Sequence, residues 1–187
     1  MSLRPLVLSL AACTALAGCF GATPNLYLMD PPAAARSMPD RLGRVEVQKV
    51  NLPQYASAPE IATQQAGGTL KGAKNDLWAD TPSDAITRIL ADQISQLSGA
   101  TALAEPWPLN DGPDRRLQVR IGQIFAGSDG QLHLSGRYFV IPAGAVGRGR
   151  VRNFDISVPL AGTGAADVAK AQAAALHQLA VRIAALR

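Results

Sequence analysis

The sequence predicts an α+β domain built on an antiparallel sheet, and three observations carry the prediction. Three long stretches between Leu117 and Leu160 alternate polar with apolar residues and are joined by short turns, the pattern of an antiparallel meander. Two stretches with helical apolar spacing flank them, one from Thr81 to Gly99 and one from Ala165 to Arg187. An apolar segment at the extreme N-terminus ends in Leu16-Ala17-Gly18-Cys19, which sets a leader apart from the body. The 187 residues are 48% hydrophobic and 17% charged, the balance of an ordinary folded protein with a core.

The leader explains itself by length. Met1 to Arg4 carries one positive charge, and Pro5 to Ala17 is apolar. That run of about 13 residues is too short for a bilayer, which takes roughly 20 in a helix. Small residues followed by Cys19 resemble a bacterial lipoprotein signal peptide. Residues 1–18 are therefore expected to be removed, and Cys19 to open the mature chain as its lipid-modified residue. The resemblance implies a diacylglycerol on the sulfur and an N-linked acyl chain such as palmitate. Two or more chains anchor a protein stably where one does not. No Asp follows Cys19, which by resemblance to enterobacterial lipoprotein sorting implies the outer membrane, with the domain facing the periplasm.

Residues 19–43 hold Pro24, Pro31, Pro32 and Pro39 among Ala and Ser, and are expected to be a flexible tether. Within them Asn25 to Met29 is long enough for a short strand. The domain is expected over 44–187. Val45, Val47 and Val50 mark a half-buried strand, ended by Pro53 in Leu52-Pro53-Gln54-Tyr55. Ile61 to Gln65 reads as the next strand, Gly67-Gly68 as a turn, and Thr69-Leu70 as the start of its partner. Thr81-Pro82-Ser83-Asp84 starts the first helix, with Thr81 as cap, Pro82 in the first turn and Asp84 as capping-box acid. Ile86, Ile89, Leu90, Ile94 and Leu97 form its apolar face, and Gly99 ends it. Residues 99–114, rich in Pro and Gly, are expected to be a loop. The meander follows, turning at Gly127-Ser128-Asp129-Gly130 and again between Pro142 and Gly147. In the last helix Val168, Leu176, Leu179 and Ile183 share a face beside small Ala169, Ala173 and Ala180, which suits close packing on a sheet. Asp167 at its start and Arg182 at its end complement its dipole.

Chemistry is sparse. The cysteines are Cys13, inside the leader, and Cys19, so the mature domain has no thiol for a disulfide, a thiolate metal site or a nucleophile. His133 and His177 lie in separate elements without ligand spacing, and read as surface or packing residues rather than metal ligands. Ser57, Ser83 and Ser95 stand in no nucleophile elbow, and Gly162-Thr163-Gly164 lacks the rest of a phosphate loop. No catalytic residue, cofactor or metal is expected, and a formal charge of +4 is too small and too dispersed to imply nucleic acid. Arg148, Arg150 and Arg152 alternate. They read first as charges protecting an edge strand and second as guanidinium forks for a lipid headgroup or an acidic partner. Trp78 is expected to wedge against the core, and Trp107, between Pro106 and Pro108, to be exposed.

Together these residues resemble a family. A lipobox Cys is followed by Tyr27, then Leu52-Pro53-Gln54-Tyr55, Ile61, and Leu77-Trp78-Ala79 before the first helix. A Leu-x-Val strand ending near Phe125, two further strands and an Ala-rich helix complete the order. This is similar to the ABC-type transport auxiliary lipoprotein family, the PqiC/YmbA-like lipoproteins. Relatives commonly carry Arg before the Trp-Ala pair and Glu-Pro-Leu after it, whereas this chain has Leu77 and Asp80-Thr81-Pro82. The Arg-rich turn at Arg148 is also a departure.

The resemblance implies a single α+β domain, a mainly antiparallel β-sheet with two α-helices packed on one face. It also implies a non-enzymatic, membrane-anchored auxiliary component of an ABC/MCE-type intermembrane lipid transport system. Its partners would be an MCE-domain periplasmic protein and an inner-membrane ABC permease and ATPase, with homo-oligomers conceivable. Two alternatives stand beside this: an envelope scaffold without cargo contact, and a lipid-anchored periplasmic hydrolase.

Overall fold

The computed structural model describes residues 23–144 and 147–186; Cys19 and the leader lie outside them. Eight strands form one mixed sheet with two helices on one face, so the fold is α+β as expected. The strands are β1 (Asn25–Tyr27), β2 (Arg44–Val47), β3 (Glu60–Gln64), β4 (Leu70–Trp78), β5 (Thr101–Ala104), β6 (Arg115–Ala126), β7 (Gln131–Pro142) and β8 (Arg150–Pro159). The helices are α1 (Pro82–Ser98) and α2 (Ala165–Ala184).

The long ladders are the antiparallel ones, β6 with β7 and β7 with β8, because tight turns can join only antiparallel neighbours. The rest is mixed. β2 lies parallel to both β5 and β6, β1 is parallel to β4, and β3 runs antiparallel to β4 but parallel to β6. Between β2 and β5 the chain makes the β3–β4 hairpin and then α1, which returns it to the sheet so that β5 lies parallel to β2.

The core lies between the sheet and the helices. Leu117, Val119 and Ile121 on β6, Leu132 and Leu134 on β7 and Ile156 on β8 meet Ile86, Leu90 and Ile94 of α1 and Leu176, Leu179 and Ile183 of α2. Ala175 and Ala180 are fully buried, as the small side of α2 must be to lie close to its neighbours.

Three expectations are corrected. The flexible tether over 19–43 does not describe the residues from Asn25 on. β1 pairs with β4, Met29 and Leu42 are buried, and the Ser37 and Met38 N–H groups both donate to the Leu97 carbonyl, which satisfies the end of α1. Residues 99–114 are not all loop, because β5 occupies 101–104 at the sheet edge. Short strands with one buried residue leave too little alternation to read. Finally, Thr81 stands at the N-cap position, but its side chain makes no capping bond, and Asp84 pairs with Lys49 at 2.6 Å instead of closing a capping box.

α1 is latched by its own serines and threonine. Ser83 Oγ donates to the Val50 carbonyl, while the Val50 N–H donates to Thr87 Oγ1 at 2.9 Å, so the buried Thr87 hydroxyl has a partner. Ser95 Oγ both donates to the Ala102 carbonyl and accepts from its N–H, each at 3.0 Å, which fixes β5 to the helix. Gly99 follows in the left-handed conformation, φ 74°, and ends α1 as expected.

β6 changes neighbours along its length, and a bulge marks the change. The register to β7 shifts between Ile121 and Gln123, and Gly136 faces Ile121 there. A Cβ at Gly136 would collide with the Arg120 carbonyl oxygen and come within 2.9 Å of the Phe154 ring and 3.0 Å of Ile121 Cα. Gly122, on the other strand, has room, its nearest contact being 3.8 Å. Gly136→Ala is expected to cost about 2 kcal/mol or more through overpacking, and several °C in Tm. Gly122→Ala, measured in the same thermal or urea denaturation, is expected to cost about 1 kcal/mol or less.

Candidate functional site

Two surface regions lie beside the joints of the N-terminal segment and on the open face of the sheet. The first is a cleft of about 650 Å³ between the segment following β1 and the exposed side of α1. Leu28, Pro31 and Trp78 supply its apolar wall, and Asp80, Arg88 and Asp92 its charge. Arg88 holds Asp80 at 2.7 Å, and this bond with the Thr81 N–H keeps the Asp80 carboxyl below its ordinary range. Beneath the cleft, Gln93 donates to the Pro32 carbonyl and meets His177 Nδ1 at 2.5 Å. His177 thus ties α2 to α1 as a packing residue. Gln172 Nε2 reaches the Met29 sulfur at 3.2 Å, which pins the start of the N-terminal segment on α2. Leu26 and Leu28 are 63% and 69% exposed at the edge where the chain comes in from Cys19.

The second region is the outer face of β6, β7 and β8, which no helix covers. Arg120 stacks over the Phe139 ring at 5.2 Å, with Arg137 directly opposite it, and Ile141 and Val151 lie 40% and 50% exposed nearby. Further along, His133 sits between Phe125 on β6 and Ser157 on β8, and its Nε2 meets the Asp129 carboxylate at 2.9 Å. Sequence reading missed this Asp129–His133–Ser157 array, since the sheet register alone brings His133 and Ser157 together. It does not form a hydrolytic triad. Ser157 Oγ stands 3.5 Å from Nδ1, at the outer limit of a hydrogen bond, and every member is open to water on a flat sheet. The Gln131 N–H, rather than the histidine, is the main cause that lowers the Asp129 carboxyl, so Asp129 primarily closes the hairpin turn.

The other expected candidates are structural. Ser83 and Ser95 are the latches described above, and Ser57 Oγ bonds the Pro53 carbonyl at 3.2 Å. Gly162-Thr163-Gly164 leads into α2, where Asp167 reaches back to the Gly164 N–H at 3.3 Å. Trp78 is half-buried against the core, as expected. Trp107, expected to be exposed, is held by Nε1 donating to the Asp111 carbonyl at 2.7 Å. Arg150 and Arg152, on the edge strand β8, pair with Val140 and Tyr138 of β7 and so lie on the helix side of the sheet. Among the described residues no group of three or more His, Cys, Asp or Glu stands together as a metal site, and no helix is long and apolar enough to cross a membrane.

The motifs that carry the resemblance prove to be joints of the fold. Leu52-Pro53-Gln54-Tyr55 forms a turn from β2 toward β3, and the Tyr55 hydroxyl accepts the Ile124 N–H at 3.2 Å, just past the bulge in β6. Trp78 donates its N–H to Pro59, and Ala79 donates to Tyr27, so the Trp-Ala pair joins β4 to both neighbours. A family model for the ABC-type transport auxiliary lipoprotein component matches residues 27–184, spanning all these joints.

The chain belongs to that family.

Solved structures agree on the fold of this auxiliary lipoprotein. A crystal structure of an uncharacterized protein is 23% identical with a TM-score of 0.70, covering 87% of this chain and 97% of that one. A protein from Xanthomonas campestris is 17% identical with a TM-score of 0.69, over 85% and 92% of the two chains. No curated protein matches significantly. The family is one of transport accessories rather than enzymes.

One ion pair of the auxiliary lipoprotein is strong enough to test by pH. Arg44 reaches Asp114 at 2.8 Å and also Asp111, and with the Arg44 N–H it holds the Asp114 carboxyl down to about 2 from 3.8. A carboxyl depressed in the folded state stabilises fully above its unfolded value, and that contribution is lost as pH falls through the folded value. Stability is therefore expected to fall between pH 3.8 and about 2, and Asp114→Asn to flatten that part of the urea-unfolding profile against pH. For the Asp129 array, His133→Ala and Ser157→Ala are each expected to cost under about 1 kcal/mol, as surface contacts do. Hydrolysis of generic esters is expected to stay at the blank for the parent and both variants.

Proposed function

We propose that this protein is a lipid-anchored accessory on the periplasmic side of the outer membrane, serving an ABC/MCE-type system that moves lipid between membranes. Membership of the transport auxiliary family carries the reading, since it gives the class of machine. The finer parts rest on physical argument.

Among the described residues the first strand begins at Asn25, six residues after Cys19. Fully extended, six residues reach about 20 Å, so an acylated Cys19 holds β1 and the cleft beside it close to the bilayer. Exposed Leu26 and Leu28 stand at that edge, where an apolar side chain gains from contact with the interface. The uncovered sheet face, with Arg120, Phe139, Ile141 and Val151, is left for partners. Stacked Arg and aromatic side chains are the residue types that interfaces favour. An MCE-domain protein in the periplasm, connected to an inner-membrane permease and ATPase, is the partner the family implies. This favours a contributing component over a passive scaffold, and the open Asp129 array gives no support to a hydrolase.

Mass spectrometry of proteins and lipids that co-purify with the native lipidated chain tests the reading. An MCE-domain protein is expected in the eluate; its absence, with only the chain itself recovered, would overturn it. Cys19→Ala is expected to move the protein from the membrane to the soluble fraction with its thermal transition unchanged, because Cys19 precedes the packed residues. A variant still cleaved and membrane-bound would remove the anchor from the proposal.

A further inference from the structure

Two of the three alternating arginines, Arg148 and Arg150, share a cleft with two others from distant parts of the chain. Arg148 and Arg150, Arg41 ahead of β2, and Arg115 at the start of β6 line one cleft of about 500 Å³ beyond the end of α2. Leu42, Val140, Pro142 and Leu186 give it apolar walls. Gly147 lines the cleft, and Gly43 stands next to its lining residue Leu42. Gly147, at φ 123°, lies against Pro142 so closely that a Cβ would be 2.8 Å from the proline ring. Gly43, at φ 69°, would place a Cβ 2.7 Å from Asp114 Oδ2. Both approaches need glycine, and both bring an arginine-bearing segment to the cleft.

Charge within the cleft is unbalanced. Asp114 is its one acidic residue, and Arg44 outside the cleft already pairs with it. Among the described residues, Arg41, Arg115, Arg148 and Arg150 have no carboxylate within salt-bridge distance. Arg115 spends one donor on the Leu42 carbonyl. Among the described residues, the end of α2 contributes about half a negative charge and Asp114 one more, which leaves an excess of about two to three positive charges. Shielding an edge strand accounts for Arg150 and Arg152 on β8, but not for Arg41 and Arg115 gathered opposite them. Guanidinium forks converging over apolar walls match a phosphate that carries an apolar body.

We propose that this cleft binds the phosphodiester headgroup of an amphiphilic lipid, with Arg41, Arg115, Arg148 and Arg150 on the phosphate oxygens and Leu42, Val140 and Leu186 against the glycerol and first acyl carbons. The proposal rests on the lipid-transport reading for its ligand and names the part of the domain that contacts cargo.

The test is calorimetric titration of the full lipidated chain, in nonionic detergent at fixed ionic strength. The probes are dihexanoyl phosphatidylglycerol, and inorganic phosphate separately. Partition of the probe into micelles is common to all variants and cancels between them. Saturable binding of the phospholipid is expected, weakened about tenfold or more in Arg148→Gln/Arg150→Gln, since each lost charged hydrogen bond is worth about a factor of ten. Arg41→Gln, from the opposite wall, is expected to weaken it independently. Arg120→Gln/Arg137→Gln removes the same charge from the outer sheet face and is expected to change affinity by about twofold or less. Equal losses in the two double variants, or no saturable binding by the parent, would overturn the site. Phosphate binding as tightly as the phospholipid would also overturn it, by making the occupant a free anion. Co-purification of the partner with the Arg148→Gln/Arg150→Gln variant reads the transport proposal separately, so failure of one is distinguishable from failure of the other.

Discussion

Every part of this domain reaches the sheet through β6. Along one edge that strand bonds first β2, through Val45 to Val47, then the isolated bridge at Asn51, and last β3 at Ala126. Its other edge is paired with β7 from end to end. Within the sheet, among the described residues, β5 pairs only with β2, and β1 and β4 connect to β6 through β3, so two otherwise separate groups of strands share one backbone. A straight strand serving two partners in succession would leave N–H groups unpaired between them. The bulge after Ile121 and the Tyr55 hydroxyl on Ile124 N–H answer that need.

The helices follow from the same constraint. One face of β6, β7 and β8 is apolar over most of its length, up to Arg150 and Arg152 at the start of β8, and burial of that face requires a helical layer. α2 supplies it with an alanine-rich side that allows close approach, and α1 completes it beside β2 and β5. The opposite face receives the alternate residues, Arg116, Gln118, Arg120 and Arg137 among them, and stays open. A domain with one covered and one open sheet face has a ready surface for a partner without any change of fold. The basic cleft lies elsewhere, on the helix side where α2 stops short of the end of β7 and β8. The open face and the basic cleft are therefore separate places on the molecule.

The sequence motifs acquire their meaning from these joints. Leu52-Pro53-Gln54-Tyr55 matters because Pro53 ends β2 and Tyr55 reaches the bulge. Trp78-Ala79 matters because two neighbouring strands both take a hydrogen bond there. Neither motif touches a reactive group, which is consistent with a family defined by architecture and position in a transport machine. The serines of α1 tell the same story, since each hydroxyl that might have drawn attention as a nucleophile is spent on a backbone group.

By itself the sequence determined the helices, the three long strands and their turns, because each depends on periodicity and on Gly or Pro at local positions. It also shows a short apolar run ahead of Cys19 and no cysteine after it. Tertiary structure alone decided the rest. The parallel pairings of β1, β2 and β3 hang on which distant strand lies alongside, and segments of three to five residues hold too few buried positions to announce it. Residues 25–43 resemble a tether in composition, yet they pack, because Met29, Leu42 and a few backbone hydrogen bonds to α1 suffice once a surface exists to receive them. The arginine cleft belongs to the same class. Arg148 and Arg150 were visible as a pair, but Arg41 and Arg115 join them only through the β2–β6 and β6–β7–β8 ladders, whose long-range register no local pattern encodes.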